Sequence, residues 1–353
     1  MTRNEAIMVQ PIHSRRRFLT IAAAAGVAAA VPRWAWASTK LPISDWRGTA
    51  LGAPASMRLV HPDRAQAQRA ITACVDEIAR LERIFSLYQG NSDLRQLNAT
   101  GELAHPAQEL VEVVAFALQL AQQSKGYFDP TIQPLYELYV EHFRDSATHA
   151  AGPSEQILEQ ALSRVDHGAV TLDNDRIRFQ RPGMAITLNG VAQGYITDRI
   201  AHLLTEYGFE DILIDVGEIR ANGRRSDGRA WKAAVADPRD TDGTDQHLLA
   251  LELGKPSPAL ATSSGFGSPF YAASETGQLP DFHHLLNPHT GQSAAQYHSV
   301  SVMAPNAMLA DGLSTALTVL PRTLSQSLLD QWAHTQAWLL DPQGELIELK
   351  TTT

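Results

Sequence analysis

The chain has 353 residues, with 29 Lys and Arg against 38 Asp and Glu, a formal charge of −9. Without residues 1–37, 24 basic and 37 acidic residues remain and the charge falls to −13, so nucleic acid, whose phosphates repel such a surface, is excluded as a partner. A single cysteine, Cys74, excludes an internal disulfide, and about 316 residues suffice for one large domain of two intimately packed halves with a filled core.

In chain order, Ser14-Arg15-Arg16-Arg17-Phe18-Leu19 comes first, then an apolar run from Leu19 to Val31, then Arg33 and Ala35-Trp36-Ala37. A basic region, a hydrophobic region and a small-residue cleavage site in that order read as a twin-arginine export signal cut after Ala37. The apolar run, about thirteen residues, is shorter than the roughly 20 that span a bilayer, so no permanent anchor is expected. The mature protein, residues 38–353, is then expected in the periplasm.

Residues 65–86 carry Ile71, Val75, Ile78, Leu81 and Phe85 at helical spacing, and residues 106–124 repeat the pattern around Leu110, Val113, Val114, Ala117, Leu118 and Ala121. Cys74, inside the first pattern, reads as a small buried apolar residue. Strands are predicted over 169–172, 176–180, 211–216, 231–236, 247–253 and 299–303, and further helices over 190–207 and 307–320. Helices and strands come in blocks without regular βαβ alternation, which predicts an α+β fold of mixed sheets with packed helices.

Three places can carry chemistry. Asp311 and Thr315, four apart on a predicted helix, share one face and offer a carboxylate and a hydroxyl, the ligand chemistry of magnesium beside a phosphate. A solvated helix edge has the same spacing. His284, in His284-Leu-Leu-Asn287-Pro288-His289-Thr290-Gly291, supplies a base or simply sits in a turn. Thr187-Leu188-Asn189-Gly190-Val191-Ala192-Gln193-Gly194 runs from a strand into a helix N-terminus, where free amides and the helix dipole favour a phosphate; glycines kept for close packing are the alternative. Gly265-Phe-Gly267 lacks the third glycine and the following helix of a dinucleotide fingerprint, so a Rossmann site is rejected.

These residues, with others in the same order, resemble the ApbE family of FAD:protein FMN transferases. The matching blocks are Phe85-Ser86-Leu87-Tyr88 with Ser92-Asp-Leu and Leu97-Asn98, Gly126-Tyr-Phe128-Asp129-Pro130-Thr131, Asn189-Gly190-Val-Ala192-Gln193-Gly194-Tyr195 with Asp198, Asp215-Val-Gly217, Ala261-Thr262-Ser263, the His284 block and the Ala310-Asp311 to Thr315 helix. The resemblance covers about residues 51–320. It implies a T-fold-related architecture and magnesium-dependent transfer of FMN from FAD to a Ser or Thr hydroxyl of a target flavoprotein, with release of AMP. It further implies that Asp311, Thr315 and the carbonyl of Ala192 hold Mg2+, that His284 is the base, and that Leu51, Ser86, Leu87, Tyr88, Asp129 and Gln193 line or hold FAD.

The chain departs from the commoner family pattern at Thr187 (Asp), Asn189 (Gly), Gln193 (Lys), Glu218 (Gly) and Asn287 (Asp). With the export signal, these variants resemble a branch tied to nitrous-oxide respiration, whose members flavinylate a membrane-bound redox partner with a periplasmic domain. Two other functions stay open on the residues: a magnesium-dependent FAD pyrophosphatase giving FMN and AMP, and a flavin-binding accessory protein without catalysis.

Overall fold

The computed structural model describes residues 19–20, 41–144, 151–240, 247–271 and 278–351. The basic region, most of the apolar run and the cleavage site of the predicted export signal lie outside them.

After a two-residue strand, β1 (Leu19–Thr20), the hairpin β2 (Ile43–Ala50) and β3 (Ala53–Val60) turns through Leu51 and Gly52, both at positive φ as a two-residue hairpin loop requires. Leu51 is held there by its amide, which donates to Glu82 Oε1 at 2.5 Å. Glu82 belongs to α1 (Arg64–Phe85), whose N-terminus is capped by Asp63, accepting from the Gln66 amide at 3.0 Å. Next come α2 (Asp93–Thr100), β4 (Glu102–Ala104), α3 (Gln108–Gln123), a 3-10 turn at Pro130–Ile132, α4 (Gln133–Arg144) and α5 (Glu155–Leu162). β5 (Val170–Leu172) and β6 (Arg176–Phe179) precede α6 (Ala192–Glu206), followed by β7 (Ile212–Asp215), β8 (Ile219–Asn222), β9 (Trp231–Ala236), β10 (His247–Leu253) and β11 (Ala259–Ser263). The chain ends with β12 (Ser299–Ala304), α7 (Ala307–Val319), α8 (Arg322–Leu329), β13 (Gln336–Leu340) and β14 (Leu346–Lys350).

One antiparallel eight-stranded sheet, in the order β14-β13-β12-β11-β8-β7-β3-β2, carries the fold. Its edges are β2 and β14, its own first and last strands in chain order, so one sheet joins the whole α+β domain. Along β7, Ile212 and Ile214 enter the large core beneath α1, α3, α6 and α7, while Leu213 points to a second core shared with Trp231, Ala233 and Val235 of β9. Burial on both faces explains why this strand reads as an unbroken apolar run. Two three-stranded sheets, β1-β9-β10 and β4-β6-β5, flank it.

The four predicted helices and six predicted strands are present, with ends shifted by one or two residues. Among the described residues, eight further strands and four further helices of four turns or fewer join them. α2, α5 and α8 have eight residues each, too few for a helical period to stand out. β2 exposes every second side chain, and in β3 the buried Ala53, Ala55, Met57 and Leu59 alternate with Pro54, Ser56 and Arg58, so neither makes an apolar run. Cys74 is fully buried, its thiol pushed up to about 12 by desolvation, as the helical pattern implied.

Candidate active site

α6 packs on β7 and β8, and α7 on β11 and β12; the two helices meet at their first turns. A pair of carboxylates makes that meeting specific. Asp198 of α6 accepts from the amides of Ala307 at 2.9 Å and Met308 at 3.0 Å, two groups with no partner inside α7. Asp311 of α7 reciprocates, its Oδ2 accepting from the Gly194 amide at 3.2 Å in the first turn of α6, where the N-cap residue, Val191, has no side-chain acceptor. Each charge thus sits at the positive end of the other helix. Gly194 permits the approach: a Cβ there would stand 2.3 Å from the Ala307 carbonyl oxygen and 2.6 Å from Met308 Cα. Arg220 of β8 pairs with Asp198 from the other side.

The clasp fixes what α7 shows to the cleft beside it. Asp311 is only 4 % exposed, which disposes of a solvated helix edge. Asp311 and Thr315 line the cleft together with Asp129, Gly190, Gln193 and His284. The turn before α6 presses on Thr315, since a Cβ on Gly190 would lie 3.0 Å from Thr315 Oγ1 and 3.3 Å from the Phe128 ring. That bare turn leaves a cradle which a side chain would fill. Ala192, buried to 2 % exposure, is the first residue of α6 and adjoins the cleft through Gln193. Among the described residues no three His, Cys, Asp or Glu side chains group as a metal site. Asp311 and Thr315 offer the cleft a carboxylate and a hydroxyl, oxygen groups that suit a hard cation such as magnesium.

His284 enters the cleft from the segment 283–294, which is folded back on itself by Ala294 N to Leu285 O at 2.8 Å and Asn287 N to Gln292 O at 2.7 Å. Its own amide donates to Ser268 O at 3.1 Å. The neighbouring His283 has a different task. Its ring lies against Gly265, Nδ1 accepts from the Leu285 amide at 3.2 Å and Nε2 donates to Ala294 O at 2.8 Å. Both nitrogens are used by the neutral ring, and burial pulls its pKa down to about 4. Asn287 makes an Asx turn, its Oδ1 accepting from the His289 amide at 2.9 Å, a role Asp fills equally well.

Asp129 lines the cleft, yet both its oxygens are engaged by the protein. Oδ1 accepts from the Thr131 amide at 2.8 Å and the Thr131 hydroxyl at 2.6 Å; Oδ2 accepts from the His167 amide at 3.0 Å and His167 Nδ1 at 2.9 Å. That last bond holds the His167 imidazole above its usual range. Asp129 thus caps the 3-10 turn at Pro130–Ile132, and any contact to a ligand comes in addition to that role.

Leu51, Ser86, Leu87 and Tyr88 do not line this cleft. Leu51 forms the β2–β3 turn, and Ser86 closes α1, its hydroxyl accepting from the amides of Tyr88 and Gln89, each at 3.1 Å. Tyr88 is 63 % exposed, the most open aromatic ring in the described chain. Four departures from the family pattern do lie in the cleft: Thr187, Asn189, the buried Glu218, and Gln193, whose side chain covers Gly217 so closely that a Cβ there would meet its Nε2 at 2.6 Å. Sequence reasoning gave no role to Asp215, Ser263 or Ser264, which also line it; only their place in matching blocks marked the first two.

Fold and cleft together define an α+β protein whose oxygen-rich site is built where two helix N-termini clasp each other. Its sequence matches the model of the ApbE family over residues 51–339, and the chain belongs to that family. It is 27 % identical over 245 residues to an FAD:protein FMN transferase of Haemophilus influenzae, covering 67 % of this chain and 68 % of that protein. With the FAD:protein FMN transferase of Treponema pallidum it shares 28 % over 295 residues, 77 % of this chain and 78 % of the relative. The fold is that of the flavin transferase ApbE from Vibrio cholerae, with a TM-score of 0.73 at 21 % identity over 88 % of this chain and 98 % of that one.

Proposed function

We propose that this protein transfers FMN from FAD to a Ser or Thr hydroxyl of another protein and releases AMP. The observation that carries the reading is that Asp311, Thr315, the Gly190–Gly194 turn and His284, scattered over more than a hundred residues, open onto one cleft. The family membership and the activity named for its relatives support it.

In the reaction, the acceptor oxygen attacks the phosphorus that bears the riboflavin group. The bond from that phosphorus to the bridging oxygen breaks, and AMP departs with the oxygen. His284 takes the hydroxyl proton, for which a neutral imidazole suits. Asp311 and Thr315, with the Ala192 carbonyl, would hold a magnesium ion. When bound, the ion supplies charge neutralisation on the pyrophosphate. The peptide dipoles of α6 add positive potential at the same place, although the amides of Ala192, Gly194 and Tyr195 are already bonded to Leu188 O, Asp311 and Val191 O. Gln193 brings no positive charge, so phosphate binding here depends on those dipoles and the cation.

The expected address is the periplasm, on the strength of residues 14–37, with a membrane-bound redox protein as acceptor. The test is to incubate the protein with FAD, Mg2+ and a candidate acceptor domain and to weigh the products by mass spectrometry. An FMN adduct with equimolar AMP is expected. FMN and AMP without an adduct would replace transfer by hydrolysis, and intact FAD would reduce the protein to a binder. Asp311→Ala should abolish magnesium-dependent turnover, whereas His284→Ala should still bind FAD but transfer slowly.

A further inference from the structure

Behind Thr315 lies a chain of three hydroxyls. Ser263 Oγ, at the end of β11, stands 2.7 Å from Ser314 Oγ and 3.2 Å from Thr315 Oγ1. Ser314 Oγ in turn donates to the main-chain carbonyl of Asp311 at 2.9 Å. Each hydroxyl has one proton, and a carbonyl only accepts, so the order of donation along the chain is determined from its far end. The Ser314 proton goes to Asp311 O; Ser314 must then accept from Ser263. The Ser263 proton being used, Ser263 must accept from Thr315.

We infer that Ser263 and Ser314 are positioning residues that turn the Thr315 proton away from the cleft and leave its lone pairs facing it. This rests on the reading of Asp311 and Thr315 as cation ligands. A hydroxyl binds a cation through oxygen, and one whose proton points at the ion is repelled by it. Free rotation would let Thr315 spend part of its time donating to Asp311 or to a phosphate. The relay removes those states before any ion arrives, which lowers the cost of binding. Ser314 is 1 % exposed and does not line the cleft, so it acts on the cleft through its bonds to Ser263 and to the Asp311 main chain.

The test uses Mn2+ alone as probe, added to the full chain, with free ion followed by electron paramagnetic resonance. Ser263→Ala and Ser314→Ala should each weaken Mn2+ binding about fivefold, the size of one neutral hydrogen bond. Ser263→Thr, which restores a hydroxyl, should recover the affinity. Ser301→Ala is the control: it removes a comparable bond, 2.7 Å to Thr262 Oγ1, unconnected to Thr315, and should leave Mn2+ binding unchanged. Weakening by Ser263→Ala with none by Ser314→Ala would overturn the relay and make Ser263 a direct ligand. Unchanged affinity in both would overturn it outright. Asp311→Ala separates the two levels: retained Mn2+ affinity there removes the cation site itself, whereas its loss with silent serine variants removes only the relay.

Discussion

Gly194→Ala tests whether the clasp between α6 and α7 is what assembles the cleft. The added methyl would stand 2.3 Å from the Ala307 carbonyl oxygen and 2.6 Å from Met308 Cα, both main-chain atoms that no rotamer change can move. Relief to ordinary contact near 3.5 Å requires the helices to part by on the order of 1 Å. Overpacking of this kind costs about 1–3 kcal/mol. The Gly194 amide bond to Asp311, already 3.2 Å, would then be lost, at about 1.5–3 kcal/mol for a charged acceptor. Ala is the better helix former by about 1 kcal/mol, which opposes both. The net is about 1.5–5 kcal/mol, a fall of roughly 2–8 °C in a thermal unfolding midpoint for a chain of this size. Calorimetry on both proteins measures it. Propensity alone predicts the opposite sign, so a midpoint equal to or above wild type would refute the clasp as the organising contact.

Two other substitutions probe the same framework. Asp198→Ala leaves Arg220 beside two unpaired helix amides and should cost about 3 kcal/mol in urea denaturation, with Asp198→Asn milder because one acceptor survives; equal, small effects would show that the carboxylate is dispensable. His283 is neutral when folded, with its pKa lowered from 6.5 to about 4, so its contribution is fully present above pH 6.5 and is lost as pH falls toward 4. His283→Asn, which cannot titrate there, should flatten that part of the stability profile measured by denaturant titration, and an unchanged acid limb would assign it to other groups.

The elements that were legible in the sequence are the ones whose burial is periodic or continuous. α1 and α3 show a single apolar stripe, and β7 is apolar on both faces because a core lies on each side. The hairpin β2–β3 was not legible: β2 is an edge with alternate exposure, Pro54, Ser56 and Arg58 interrupt the buried side chains of β3, and the turn uses Leu51 at positive φ, held by its amide's bond to Glu82 that no local pattern announces. The Asp311–Thr315 face was visible as spacing. Whether it was a wet edge or a site could not be seen, because burial of Asp311 depends on α6, over a hundred residues earlier.

The same division runs through the site. Sequence alone determined residue chemistry and short-range geometry: a carboxylate and a hydroxyl on one helical face, a candidate turn in the His284 block, a glycine-bearing helix start at Gly190–Gly194. These are set by periods and caps of a few residues, which the chain carries in itself. Tertiary structure alone decided that Asp198 and Asp311 cap each other's helices, that Asp129 is held by His167, and that Ser263 from a distant strand completes a chain of hydroxyls behind Thr315. Such contacts depend on hydrogen-bond distances across the fold, where an ångström decides whether a bond exists, and sequence spacing does not encode them.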